Sequence, residues 1–221
     1  MIVRALIDND IVIKLSAYRL GPALLSVATF DETPPAMLSI GRFVVRDQLS
    51  KPSRFVDGGS ALAEFEALLP SLLLLEPTDA EIEAAADFEM AALQLNLELD
   101  GGESQLLAIL LARQASLLAT GDKRAILAIA ELTADTVAGR VACLEQFVAA
   151  IIEAGDFANI RQTICREPHA DKALTICCGC ASAVPPDTDS VLAALGSYIN
   201  HVRQSAAGTL LASTNFSALT A

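Results

Sequence analysis

The stretch Ile2-Val-Arg-Ala-Leu-Ile-Asp-Asn-Asp-Ile-Val-Ile-Lys-Leu15 decides the reading of the fold. Its first part, Ile2 to Ile7, is a short apolar run that predicts a buried strand. The polar group Asp8-Asn9-Asp10 interrupts that run. Beyond it Ile11, Val12, Ile13, Leu15, Tyr18 and Leu24 recur at roughly helical spacing. A buried strand that passes into a helix across two aspartates reads as the opening of an α/β unit. In such units ligands gather at the carboxyl ends of parallel strands.

The chain then repeats this alternation. Leu72 to Leu75, Leu117 to Thr120 and Val141 to Leu144 predict three further short strands. Thr33-Pro34-Pro35 predicts a turn and helix start, with Ala36 to Leu49 as one amphipathic helix. Ser60 is the expected cap of a helix through Leu69. Thr78 and Glu81 form a capping-box signature for a helix from Asp79 to about Leu97. Asp100-Gly101-Gly102 predicts a sharp turn, and Glu103 the start of a helix to about Ala115. Gly121-Asp122 is the next turn, followed by a helix from Lys123 to about Leu132.

The expected fold is α/β, with a central parallel sheet. After residue 145 the pattern turns mainly helical. Ile151 to Ile164 suggests two short helices broken at Gly155, and Leu174 to Cys178 a strand. Val184-Pro185-Pro186-Asp187 reads as a linker, Val191 to Ala206 as a last amphipathic helix, and the segment beyond Gly208 as a loose tail. The division we expect is a domain over 1–145 and a mainly helical extension over 146–221.

The 221 residues are enough to bury a large core without covalent staples. The apolar run Leu68 to Leu75 is too short to span a bilayer and contains Pro70. With no signal-peptide pattern at the start, a cytoplasmic protein without membrane contact is expected. The five cysteines are then expected as reduced thiols. Cys165, Cys177, Cys178 and Cys180, with His169, invite a zinc reading, but Cys-Cys-Gly-Cys is not zinc-finger spacing. Core packing of these small apolar side chains is the competing reading. The net charge of −12 repels nucleic-acid phosphate at long range and argues against a general nucleic-acid coat. It leaves room for a locally basic site, or for a basic protein partner.

Asp8, Glu103 and Asp122 all fall at strand ends or helix starts. Clustered carboxylates there suit a hard divalent cation such as Mg²⁺ or Mn²⁺. The plain alternative is that Asp8 and Asp122 cap helices and Glu103 occupies a first turn, where the helix dipole favours it.

Three segments together resemble the PIN-domain nucleases. Leu6-Ile-Asp-Asn-Asp-Ile-Val-Ile-Lys-Leu15 resembles their opening strand and first acid. Leu99-Asp-Gly-Gly-Glu-Ser-Gln-Leu-Leu-Ala-Ile-Leu110 resembles their central acidic helix start. Leu117-Leu-Ala-Thr-Gly-Asp-Lys-Arg-Ala-Ile126 resembles their later strand and acidic turn. The resemblance covers roughly residues 1 to 145. It implies a three-layer α/β/α domain, a Mg²⁺ or Mn²⁺ site, and RNA as substrate. By motif position Asp8, Glu103 and Asp122 match the catalytic acids, with Asp10 as a further metal ligand and Thr120 as a supporting hydroxyl. The family often carries another glutamate in its second helical region. Here Arg42 stands near that place and Asp47 lies about a turn later, which leaves Asp10 or Asp100 as substitutes. Arg42, Lys123 and Arg124 are candidates for phosphate contact.

Three functions remain open from sequence. One is a metal-dependent ribonuclease, which by analogy includes toxins paired with an antitoxin. Another is a PIN-fold interaction protein without catalysis, with or without homodimerisation. The third is a hydrolase of small phosphoesters.

Overall fold

The computed structural model describes residues 2–214 and 216, with residues 134 and 135 described by backbone alone. Five short parallel strands form one sheet in the order β3-β2-β1-β4-β5. They are β1 (Ala5–Ile7), β2 (Ala36–Leu38), β3 (Leu73–Leu75), β4 (Leu117–Thr120) and β5 (Val141–Cys143). The eleven α-helices of the described residues are α1 (Asn9–Ala17), α2 (Gly21–Ala28), α3 (Gly41–Leu49), α4 (Gly58–Leu68), α5 (Asp79–Gln94), α6 (Gly101–Ala112), α7 (Lys123–Thr133), α8 (Leu144–Ala154), α9 (Phe157–Arg166), α10 (Lys172–Cys177) and α11 (Thr188–Ser205).

Alternation along the strands divides the core in two. Ala5 and Ile7 of β1, Leu117 and Ala119 of β4, and Ala142 of β5 join one apolar cluster. Leu6, Leu118, Val141 and Cys143 point into the other. Both faces are covered, which is why these strands read as continuous apolar runs. Residues 146–221 contribute to the same two layers. Phe147, Ile160, Leu174 and Leu195 pack in the first, and Ile199, Val202 and Leu210 in the second.

Several expectations need correcting. Ala36 to Leu49 is not one helix: Ala36–Leu38 is strand β2, paired with β1 and β3, and α3 starts only at Gly41. Sheet pairing of three wholly buried residues outweighs their helical propensity. Thr33-Pro34-Pro35 therefore leads into a strand; the Pro35 carbonyl accepts a hydrogen bond from Leu73 N. Leu174 to Cys178 is not a strand but lies in and just beyond α10, which Asp171 caps at Leu174 N. Asp57, not Ser60, caps α4, and it accepts from Ser60 N at 3.0 Å. Gly101 and Gly102 are the first residues of α6 instead of a turn before it. The break at Gly155 is present, although the helix before it begins at Leu144. The segment beyond Gly208 is packed where it is described: Leu211 N donates to Val141 O, and the Phe216 ring packs tilted against Phe147 with centroids 4.7 Å apart. Positions 215 and 217–221 of that tail lie outside the described residues.

Cys165 and Cys180 are joined in a disulfide, against the expectation of reduced thiols. The chain turns back from α9 through α10 and brings their Cα atoms to 5.2 Å, inside bridging range. Chain entropy gives such a link a stabilising role. Reduction by a dithiol, followed by thermal unfolding, is expected to lower stability by about 2 kcal/mol, the low end of the usual range for a short loop.

The capping box at Thr78 forms as expected, and Glu81 also receives Arg113 in a two-point clamp of 2.7 and 2.6 Å. These hydrogen bonds hold the Glu81 carboxyl down at about 2 against an ordinary 4.5. Its contribution is therefore complete above pH 4.5 and is lost as pH falls towards about 2. Arg113→Ala is expected to cost about 2 kcal/mol at neutral pH, between exposed and buried ion pairs, and to flatten that acid limb in a pH series of urea melts.

Candidate metal centre at the sheet switch point

Strand order reverses direction at β1 and β4, and the carboxyl ends of these two strands open the crevice typical of ligand sites in parallel sheets. Register sets Ile7 beside Ala119, so Asp8 and Thr120 emerge side by side. Asp8 N is fixed on Ala119 O at 2.9 Å. The start of α6 supplies the third member, Glu103.

Thr120 Oγ1 is the hub. It lies 3.5 Å from Asp8 Oδ2 and 3.5 Å from Glu103 Oε1, and accepts Asp122 N–H at 3.1 Å. Asp8 and Glu103 expose only 8% and 6% of their surface. Neither has a lysine or arginine within ion-pair distance among the described residues. Burial, with a smaller push from the Asp10 charge, raises the Asp8 carboxyl to about 6. Burial, followed by the charges of Asp100, Asp8 and Asp122, raises Glu103 to about 8. A protonated Glu103 can donate to Thr120 Oγ1, whose own hydrogen then goes to Asp8, so all partners of the hydroxyl are satisfied. Thr120→Val removes that hub and orphans Asp122 N–H. It is expected to cost between about 1 and 3 kcal/mol, measurable by urea unfolding.

All three acids also do the structural work that sequence alone allows. Asp8 accepts Asp10 N–H at the start of α1, and Glu103 accepts Asp100 N–H in a capping box with Asp100. Asp122 accepts Arg124 N–H at 2.8 Å.

The remaining sequence candidates divide. Asp100 stands at the site as the cap of α6. Asp10 turns aside to Lys14 at 2.6 Å, and Lys14 is held in turn by Asp171 at 2.9 Å. Burial alone would lower the Lys14 ammonium, and the charges and hydrogen bonds of Asp10 and Asp171 together raise it. Asp10 lies so close to Gly121 that a Cβ there would stand 2.0 Å from its Oδ2. Gly121 is thus required by close approach. Lys123 and Arg124 are not free for phosphate. Lys123 pairs with Glu145 at 2.6 Å, and Arg124 clasps Asp122 at 2.8 Å and reaches Glu98. Against the burial that would raise it, the Arg124 hydrogen bonds and charge lower the Asp122 carboxyl. Arg42 has no carboxylate partner among the described residues and lies over the Phe43 ring. Sequence reading did not single out Lys14 and Asp171, because their pairing joins segments 157 positions apart in sequence order.

Among the described residues, no group of three or more His, Cys, Asp or Glu side chains is placed to hold a metal ion. The zinc reading fails on chemistry as well: Cys165 and Cys180 are oxidised to a disulfide. Burial raises the Cys177 and Cys178 thiols to about 11. The donor set at Thr120 is different in kind. Two buried carboxyl groups with no lysine or arginine within ion-pair distance among the described residues, and a hydroxyl, are oxygen donors of the type that hard divalent cations prefer, but they are two acids and not three, since Asp122 is paired with Arg124. No helix of the described residues is long and apolar enough to cross a membrane. No family model matches the sequence, and neither a curated protein nor a solved structure matches the chain.

Proposed function

We propose that the chain is a Mg²⁺- or Mn²⁺-dependent nuclease acting on phosphodiesters, with RNA as its expected substrate. The observation that carries this reading is the pair Asp8 and Glu103, buried on one hydroxyl with no lysine or arginine within ion-pair distance among the described residues. Buried carboxyl groups without a counter-ion are costly to ionise, and a site at the carboxyl ends of parallel strands is where such a cost is retained for ligand binding. Asp8 and Glu103 would hold the cation, with Asp122 as the third acid once its carboxylate leaves Arg124. When bound, the ion would supply an acidified water and charge stabilisation at a phosphoryl oxygen. Thr120 keeps Asp8 and Glu103 in place. Asp10 contributes negative potential from its Lys14 pair.

Cavities of about 510 and 680 Å³ flank the acids and both touch Asp100. Two open cavities beside the acids, in place of one closed pocket, support a polymer over a small phosphoester. The clasp of Asp122 by Arg124 favours the second reading, an interaction protein without catalysis, because it neutralises one of the three acids. Calorimetric titration of Mn²⁺ into chelator-treated protein separates the two. Saturable binding that Asp8→Asn abolishes supports the nuclease, and absence of binding at millimolar Mn²⁺ would leave the interaction protein.

A further inference from the structure

Helix α5 is apolar on two sides. Ala85 and Ala92 are buried in the core, and Phe88 packs against its second cluster. A second row faces away from these residues. Ile82, Ala86, Met90 and Leu93 fall within about 80° of one another around the helix axis. Ile82, Met90 and Leu93 expose 49%, 54% and 79% of their surface, and Ala86 is exposed. A surface helix needs one apolar face for its own core, so a second row of large apolar side chains marks a face that something else covers. The row runs into the cavity of about 680 Å³ beside the acids. Ala86, Met90 and Leu93 line that cavity, with Leu97 and Leu99 beyond the end of the helix.

Charge indicates what covers it. Helix α5 carries Asp79, Glu81, Glu83, Asp87 and Glu89 and has no lysine, arginine or histidine. Glu81 is taken up by Arg113. By helical spacing Glu83 and Asp87 flank the apolar row on one edge, and Glu89 flanks it on the other. None of these three has a lysine or arginine within ion-pair distance among the described residues. The cavity at the end of the row adds Glu98 and Asp100. Its one base, Arg124, is already held by Asp122 and Glu98. An apolar row between acidic edges repels nucleic-acid phosphate and anionic lipid headgroups. It also repels a second α5, because pairing two copies of a helix without bases sets acid against acid. The same edges attract ammonium and guanidinium groups that flank an apolar face of their own.

We propose that the outer face of α5 docks a basic amphipathic helix of a partner protein. The apolar side of that helix covers Ile82, Met90 and Leu93, and its lysines or arginines lie beside Glu83, Asp87 and Glu89. Ile82 to Leu93 spans about 16 Å, or three turns, which a partner helix matches with apolar anchors at i, i+3, i+4 and i+7. Burial of the three large side chains supplies the affinity. The acidic edges select the sign of the partner and speed its approach. The anchors all lie on α5, so the proposal does not rest on the nuclease reading.

The test uses the full chain and two dye-labelled peptides of about 18 residues, made only of leucine and lysine in equal composition. One gathers its leucines on a single helical face, and the other spreads them around the axis. Fluorescence anisotropy should show saturable binding of the first and at least tenfold weaker binding of the second. Met90→Ala combined with Leu93→Ala is expected to weaken the first peptide roughly tenfold. Alanine favours the helix, so the circular dichroism spectrum and melting temperature of this variant should match the wild type. Glu83→Gln combined with Asp87→Asn should weaken the same peptide roughly threefold at low salt and have little effect at high salt. Equal binding of the two peptides, or no binding of either, would overturn the proposal. Unchanged affinity in the Met90 and Leu93 variant would put the peptide elsewhere on the acidic surface and overturn it too. A dimer in sedimentation that the same variant dissociates would assign this face to a second copy of the chain instead. Flotation with phosphatidylcholine vesicles that the variant abolishes would assign it to a lipid surface, and either result would replace the partner helix.

Discussion

Glu103→Gln is expected to make the metal-free protein several kcal/mol more stable at pH 8.5 than the wild type. Glu103 titrates near 8 in the folded chain against an ordinary 4.5, and Asp8 near 6 against 3.8. The folded state therefore holds protons that the unfolded state has already released. Stability from these groups is complete below their unfolded values and is lost as pH rises, first through about 6 for Asp8 and then through about 8 for Glu103. Each pH unit between the two values of one group corresponds to about 1.4 kcal/mol. A glutamine has nearly the same shape and no charge to strand in the protein, so it escapes the loss. Thermal unfolding in chelator between about pH 5.5 and pH 8.5 measures this. The wild type should lose melting temperature across that range. The variant should stay nearly level and end on the order of 10 °C higher. A wild type that melts equally high at both ends would show that the buried acids carry no such strain. The interval lies above the titration of ordinary carboxylates, and the opposite acid limb of Glu81 does not reach it.

The second large effect concerns the cation. Asp8→Asn is expected to lower Mn²⁺ affinity more than 100-fold and to abolish detectable cleavage of a single-stranded RNA. Loss of a residue that merely hydrogen-bonds to a metal ligand typically costs between about 10- and 100-fold, and loss of a ligand itself should exceed that. Asparagine can still accept Asp10 N–H as a cap, so α1 should remain formed. The variant should therefore keep its circular dichroism spectrum while it loses the metal. Arg124→Ala should act in the other direction. It frees the Asp122 carboxylate from its clasp, and Mn²⁺ should bind more tightly. Weaker binding in Arg124→Ala would mean that the clasp orders Asp122 for the ion. Unchanged Mn²⁺ affinity and cleavage in Asp8→Asn would place the reaction elsewhere or end the nuclease reading.

Much of the sheet could be read locally. Strands β1, β3, β4 and β5 are short apolar runs between turn residues, and both faces of the sheet are covered, so periodicity and composition agreed. The capping box at Thr78 and Glu81 and the break at Gly155 were also legible, because caps and glycine breaks are decided within a few residues. The misreadings share one cause. In Ala36–Leu38 and in Leu174–Cys178, a few apolar residues allow helix or strand equally, and the partner that decides is distant in sequence. Leu73–Leu75 makes the first a strand, and the fold around Asp171 makes the second a helix.

The candidate site divides along the same line. Asp8, Glu103 and Asp122 stand out in the sequence because each sits at a strand end or a helix start. Their types and places were thus determined by the chain itself. Whether they converge was not. The tertiary structure decided that Asp8 and Glu103 meet at Thr120, that Asp122 turns to Arg124, and that Asp10 is drawn away by Lys14 and Asp171. It also decided that Cys165 and Cys180 meet and that Lys123 is neutralised by Glu145. The physical reason is range. Capping and periodicity act over three or four residues and leave their mark in sequence. Charge pairing, desolvation and disulfide closure depend on distances through space, and parallel strands joined by long crossovers set those distances only once the sheet is assembled.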